Sequence, residues 1–296
     1  MGNVPRSVAG PSMLELDGAQ TGALKSVDGG EIVAEVVVEP IGQGPFAKKH
    51  LGGVRYEELV LGLELGTAGS VFTWIAESWN GQAKPRDGAI VETDAKLAPQ
   101  ARREFRHALI TETTIPTLDA ASKGPAELTV KLAPEEITRK KAGGAGGQKV
   151  GAKQKQWLAS NFRLELDGLE TKTVSKIDAF TVKQTIAADD IGDVRISRRE
   201  PGKLEVPNLR VTFGQASLQT WTDWFDDFVV KGDNADDKEK NGAIVFLDAT
   251  LKQELGRIEL KNVGIFALRR QPSTEQVARV TAELYVESME LKWSAA

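Results

Sequence analysis

The chain contains no cysteine among its 296 residues, so disulfides, thiolate metal sites and cysteine nucleophiles are excluded. Histidine is nearly as scarce, with His50 and His107 the only two. Long apolar runs are missing as well; none approaches the roughly 18 residues that a membrane-spanning helix requires. The opening Met1-Gly2-Asn3-Val4-Pro5-Arg6-Ser7 lacks the apolar core of a signal peptide, and Arg6 stands where a myristoylation signal wants Ser or Thr. Cytoplasmic assembly without a membrane partner is the expectation. A large basic excess is also lacking: the net charge is −4, which argues against a dedicated nucleic-acid binder.

What the chain does have is a repetition. Leu14-Glu15-Leu16-Asp17-Gly18 recurs 150 positions later as Leu164-Glu165-Leu166-Asp167-Gly168. In the same order, Lys25-Ser26-Val27-Asp28 answers to Ser175-Lys176-Ile177-Asp178, and Thr73-Trp74 to Thr220-Trp221. Gly88-Ala89-Ile90-Val91 answers to Gly242-Ala243-Ile244-Val245, and Asp94-Ala95 with Leu97 to Asp248-Ala249 with Leu251. A whole domain is duplicated. The divisions that follow are a loose tail at 1–12, a first domain at 13–138, a linker at 139–161 and a second domain at 162–296. The linker is rich in glycine and carries Arg139, Lys140, Lys141, Lys149, Lys153 and Lys155 without an acid, the composition of a flexible solvated segment.

Alternation predicts strands. Leu14 and Leu16 alternate with acids and end in the turn at Asp17-Gly18. From Glu31 to Glu39, Ile32, Ala34, Val36 and Val38 form one face while Glu31, Glu35 and Glu39 mark the other, until Pro40 ends the strand. After a loop of Gly and Lys, a return strand is expected at Tyr56–Leu65, with Leu59, Leu61 and Leu63 on one side and Glu58 and Glu64 on the other. Val71, Trp74, Ile75 and Trp79 have helical spacing, as do Leu218, Trp221, Trp224, Phe225 and Phe228. Three strands close each copy: 89–93, 105–111 and 128–132, then 243–248, a bent 255–268, and 277–291. The plan is α+β, mainly β: two tandem domains, each a curved antiparallel sheet or small barrel with a long hairpin and one short helix.

Motifs for chemistry are weak. The run 143–149 lacks the Gly-Lys-Ser/Thr ending of a phosphate loop, and Val150 cannot coordinate magnesium. Asp233-Asn234-Ala235-Asp236-Asp237 lacks the alternating ligands and terminal glutamate of a calcium loop. Neither histidine recurs in the other copy, so no catalytic residue, metal site or cofactor is assigned. Trp74, Trp221 and Trp224, set among aliphatic residues at helical spacing, are expected in the core.

The order of these elements resembles the tail tube proteins of contractile phages and related injection systems. It does so in Lys49-His50-Leu51-Gly52-Gly53 with Tyr56, Leu59 and Leu61, and in Arg199-Glu200-Pro201-Gly202 with Leu209 and Val211. The Trp-bearing helices and closing strands complete the likeness over 13–137 and 162–293. Glycine at position 52 replaces the family's usual proline, and the duplication itself is a departure. The resemblance implies rings of six domains whose hairpins join into one barrel around a channel; three chains of two domains each would supply them, and the alternative is a ring of six chains with one copy in the tube and the other decorating it or capping an end. It implies lumen-lining roles for Glu31, Glu35, Glu39, Glu58 and Glu64, and for Thr181, Thr185, Asn208 and Arg210. The hairpin loops at 40–53 and 190–203, with Lys48, Lys49, Gly52, Gly53, Arg199, Pro201 and Gly202, would stack on the next ring.

Implied partners are further copies of the chain, sheath or baseplate proteins, and DNA or protein cargo that slides through without specific binding. Two other roles compete: a baseplate, hub or tube-end adaptor of the same fold, and a small enzyme or ligand-binding protein with a discrete apolar pocket.

Overall fold

The computed structural model describes residues 9–40, 46–64, 69–141, 157–189, 198–270 and 279–293. Residues 1–8 of the expected tail, the loop residues 41–45 and 190–197, and the glycine run of the linker lie outside the described residues, whereas residues 9–12, also expected in the tail, belong to the first strand, where pairing with both neighbouring strands holds them. The first repeat comprises β1 (Ala9–Leu16), β2 (Ala19–Gly29), β3 (Ile32–Pro40), β4 (Ala47–Tyr56), β5 (Leu59–Glu64) and helix α1 (Gly69–Trp79). It continues with β6 (Arg86–Asp94), β7 (Pro99–Ile115), β8 (Leu118–Asp119), β9 (Glu127–Ala133) and β10 (Glu136–Lys141). The second has β11 (Phe162–Leu166), β12 (Val174–Ile177), β13 (Phe180–Asp189), β14 (Arg198–Glu205) and β15 (Leu209–Gly214). Helix α2 (Leu218–Phe225) runs on through a π-helical turn, Asp226–Val230, and β16 (Lys240–Leu247), β17 (Glu254–Arg270) and β18 (Arg279–Trp293) finish the chain.

In the first repeat the strands run β7-β6-β1-β2-β5-β9, and β9 pairs back onto β7, closing a six-stranded barrel. The second repeat curls in the same order but stays open, β11-β16-β17-β18-β15-β12, with the short β8 of the first repeat added beside β12. Each repeated motif has a physical reason. Asp17 and Gly18 both have positive φ (49° and 80°), the two-residue turn that matches strand twist, and Leu16 faces Ala19 across it. Gly88 and Gly242 must be glycine: a Cβ would lie 2.3 Å from the Phe105 ring in the first case and 2.0 Å from the Glu165 carbonyl oxygen in the second.

The Asp-Ala-x-Leu repeat is a carboxylate-held hairpin turn. Asp94 Oδ1 accepts from the backbone N–H groups of Lys96 and Ala98, and Asp248 Oδ1 from those of Lys252 and Gln253. Leu97 and Leu251 occupy the left-handed position, at φ 63° and 59°. Donation by the Thr250 hydroxyl, then by these backbone groups, holds the Asp248 carboxyl below the usual carboxylate range. A depressed folded-state value means the contribution to stability is complete above the unfolded pKa and is lost as pH falls through the folded one. Denaturant unfolding of the Asp248→Asn variant is therefore expected to show a deficit near about pH 6 that narrows towards about pH 3.

Three further sequence expectations change. The return strand of the long hairpin is β4, not Tyr56–Leu65, and β3–β4 is a separate two-stranded sheet. Leu59, Leu61 and Leu63 belong to β5 in the barrel and are fully buried there. Gly29 and Gly30, both at positive φ, divide β2 from β3, and the Gly30 N–H donates to the Glu58 carbonyl at the foot of the hairpin. Second, β2 carries no clean alternation and was not expected. Third, Arg139, Lys140 and Lys141 extend β10 along β7 rather than starting a linker, and Trp157, inside the expected linker, is buried against Phe246.

The two repeats share one hydrophobic core. Phe72 of α1 stacks on Trp293 of β18, with centroids 3.9 Å apart and planes 6° from parallel. Trp74 and Trp221 are buried, and their indole N–H groups donate to the carbonyls of Lys84 (2.9 Å) and Glu170 (3.0 Å). Trp224 is also buried, with the Lys240 ammonium 5.4 Å from its ring centroid.

Candidate functional site

The two long hairpins, identical in plan, are used differently. The hairpin of the second repeat, β13–β14, lies on the edge of the first repeat's barrel. β13 pairs antiparallel with the end of β7: Phe180 opposite Ile115, Thr181 opposite Thr114, Val182 opposite Thr113 and Lys183 opposite Glu112. Alternation then sorts the side chains. Val182 (2% exposed) and Gln184 turn inward, where Ser78 Oγ of α1 donates to Gln184 Oε1 at 2.6 Å. Thr181 and Lys183 turn outward, and the Thr181 hydroxyl meets that of Thr114 at 2.8 Å. Arg199 of β14 locks the far side: its backbone N–H donates to Glu135 at 2.8 Å, and burial pushes its guanidinium below the usual value, opposed by Glu58 and Glu135.

The outward face is a chain of alternating charges. In the first repeat Glu58 pairs with Lys131 (2.8 Å), Lys131 with Glu112 (3.8 Å), and Glu112 with Lys183 across the seam (3.8 Å). The Glu58 bond raises the Lys131 pKa, keeping the lysine charged. In the second repeat Asp178 approaches Arg210 (4.0 Å), Arg210 approaches Glu283 (3.9 Å), and Glu283 bonds Arg269 (3.1 Å). The chain stops at Arg269. Beyond Val263, β17 is paired by β18 alone among the described residues, so its other edge ends the sheet.

The hairpin of the first repeat, β3–β4, pairs with no other strand among the described residues. Its apolar face is bare: Ile32 is 42% exposed, Val36 56%, Val38 52% and Leu51 71%. Glu31, Glu35 and Glu39 are exposed on the other face, with Glu31 on Arg139 and Glu39 3.8 Å from His50. Lys48, Lys49, Gly52 and Gly53 lie within β4, and Arg199, Pro201 and Gly202 within β14, so these residues are strand rather than loop. Glu58 and Arg210 sit on the charged face, Asn208 is exposed just before β15, and the Thr185 hydroxyl donates to the Lys203 carbonyl. The Glu64 backbone pairs with Glu127. His107 lies on a bulge at φ 46° with Nδ1 3.5 Å from Glu135. Among the described residues no group of three or more His, Asp and Glu side chains is arranged to hold a metal ion, and no helix is long and apolar enough to cross a membrane.

Residues 13–138 match the family model of the T4-like virus tail tube protein gp19. This part of the chain is a tail tube domain. Among solved structures, the tube-terminating cap of the anti-feeding prophage is 20% identical, aligning over 48% of this chain and 93% of its own with a TM-score of 0.40. The PVC sheath-tube complex of an extracellular contractile injection system is 20% identical over 47% of this chain and 95% of its own, at 0.41. Hcp1 from Flavobacterium johnsoniae is 14% identical over 45% and 97%, at 0.31. No curated protein matches the chain.

The second repeat lies outside the matched residues but keeps the register of the tail tube domain. Val33 faces Arg55 and Ala34 faces Val54 in β3–β4; 150 positions later Lys183 faces Glu205 and Gln184 faces Leu204. A bulge follows in both, before Val36 and before Ile186. The His107 bulge recurs at Asn262, φ 53°. No alternation signals such a bulge, although Asn and His tolerate positive φ better than most residues.

Proposed function

We propose that this tandem tail tube protein is a structural ring-former: three chains supply six tube domains around a central channel. The observation that carries the reading is the β13–β7 seam, a hairpin from one tube domain completing the barrel edge of the next inside a single chain. Two domains are thereby set side by side, as neighbours in a ring would be. The first hairpin then remains for a neighbouring chain. In such a ring the charged face running through Glu58, Lys131, Glu112 and Lys183 turns towards the lumen together with Glu31, Glu35, Glu39, Thr181, Thr185, Asn208 and Arg210. Carboxylates matched by lysine and arginine make a balanced wall, to which DNA or a protein cargo has little net reason to adhere. The hairpin ends carrying Lys48, Lys49, Arg199 and Pro201 meet the next ring, and the outer surface meets sheath or baseplate proteins.

End-on averages of the purified protein in negative-stain electron microscopy test this reading. Rings with a central hole and threefold symmetry are the expected outcome. Sixfold averages would show one repeat per chain in the ring and overturn the three-chain count. Single rings that never stack would favour an adaptor at a tube end or hub over a repeating tube subunit. A monomer at all concentrations would defeat self-assembly.

A further inference from the structure

The ring reading leaves open which strand the first hairpin meets and in what register. The internal duplication supplies both. β3–β4 reproduces β13–β14 residue for residue at a shift of 150, bulge included. β17 reproduces β7 likewise, at a shift of 155. Glu112, Thr113 and Thr114 face Lys131, Val130 and Thr129, after a bulge that follows Ile110. Ala267, Leu268 and Arg269 face Glu283, Ala282 and Thr281, after a bulge that follows Ile265. The strand that carries β13 in one repeat thus has a counterpart in the other whose edge is unused among the described residues.

We propose that β3 of one chain pairs antiparallel with residues 264–270 of β17 in a second copy, with Glu31 opposite Arg269, Ile32 opposite Leu268 and Val33 opposite Ala267. This seam rests on the ring reading but makes its own commitments. The register is the Thr181–Thr114, Val182–Thr113 and Lys183–Glu112 pairing, transferred. It buries Ile32 as Val182 is buried within the chain, which accounts for an isoleucine left 42% exposed beside three other bare apolar side chains. It also continues the charge alternation: Arg210, Glu283 and Arg269 are followed on the next strand by Glu31. Glu31 and Arg269 now bond Arg139 and Glu283 at the surface, and pairing them joins two ion pairs into one network.

Under the helix the chemistry changes to match. Within the chain Gln184 meets Ser78, four residues after Trp74. In the transferred seam Ala34 replaces Gln184, and Phe225, four residues after Trp221 and half-buried, replaces Ser78. A polar pair is exchanged for an apolar one. Pairing of β3 with another β3 would instead bring Glu31, Glu35 and Glu39 against their own kind, so the seam is head-to-tail.

Because the chain has no cysteine, disulfide trapping reads this register directly. Chains carrying Glu31→Cys and chains carrying Arg269→Cys, both exposed positions, would be co-expressed and oxidised. A covalent pair of twice the monomer mass is expected only when both variants are present. It is not expected from either alone, nor from Glu35→Cys with Arg269→Cys, whose strand offset is about 13 Å. Rings without the Glu31–Arg269 link, or a Glu31→Cys self-link, would overturn the seam while leaving the ring standing. A link without rings would keep the seam and overturn the closed ring. Neither rings nor link would overturn both.

Discussion

Replacing both Ile32 and Val36 with lysine is expected to leave the barrel and the open sheet folded and to abolish self-association. Both side chains lie on the bare face of β3, outside the shared core, so the folded chain loses little by the change. In the assembled seam their counterparts are Val182, which is buried, and Ile186, which is partly so. Both side chains are about half exposed in the single chain, so covering the rest contributes about 1.5–3 kcal/mol, and lysine both removes that contribution and brings charge to a site beside Arg269 and Arg270. The association constant at each seam should fall by roughly a hundredfold or more. Sedimentation velocity would show the monomer, while circular dichroism and the unfolding midpoint stay near those of the parent. A variant that still forms rings would mean that β3 does not lie in the seam.

The second large effect is in the core. Trp221→Ala should cost about 3–5 kcal/mol, the range for truncating a fully buried large aromatic. Trp221 stacks on Phe213 at 4.6 Å, touches Trp224 at 6.2 Å, and donates to the half-buried Glu170 carbonyl, so its loss leaves a cavity and removes that hydrogen bond. Because one core runs through both repeats, with Phe72 of the first on Trp293 of the second, the loss should lower a single unfolding transition. Denaturant titration followed by tryptophan fluorescence and by far-ultraviolet circular dichroism measures this. Two separated transitions, only one of them shifted, would show that the repeats unfold independently.

The contrast between these variants marks the division of labour between the two hairpins. Their strands alternate alike, yet one hairpin is covered by the first barrel and the other is bare. Alternation reports that a strand has an apolar face; it does not report whether that face meets the same chain or another. The same holds for the acids. Glu31, Glu35, Glu39 and Glu58 read as a uniformly negative face along the sequence, whereas Lys131 pairs with Glu58 from a distant strand and Arg139 with Glu31.

By itself the sequence determined the duplication, the turn at Asp17-Gly18, the helices around Trp74 and Trp221, and most of the barrel strands. It also marked the glycines and aspartates that shape the repeated hairpins, Gly88 and Gly242, Asp94 and Asp248. All of these rest on local geometry: side-chain periodicity, positive φ and turn hydrogen bonds reach only a few residues along the chain. The tertiary structure alone decided that β4 and not β5 returns the hairpin, that Trp157 and Arg139 leave the linker for packed positions, and that β13 crosses to the other repeat. Strand pairing joins residues far apart in sequence, and an edge offers the same N–H and C=O row to any partner. Which partner fills it depends on what lies beside that edge once both repeats have folded.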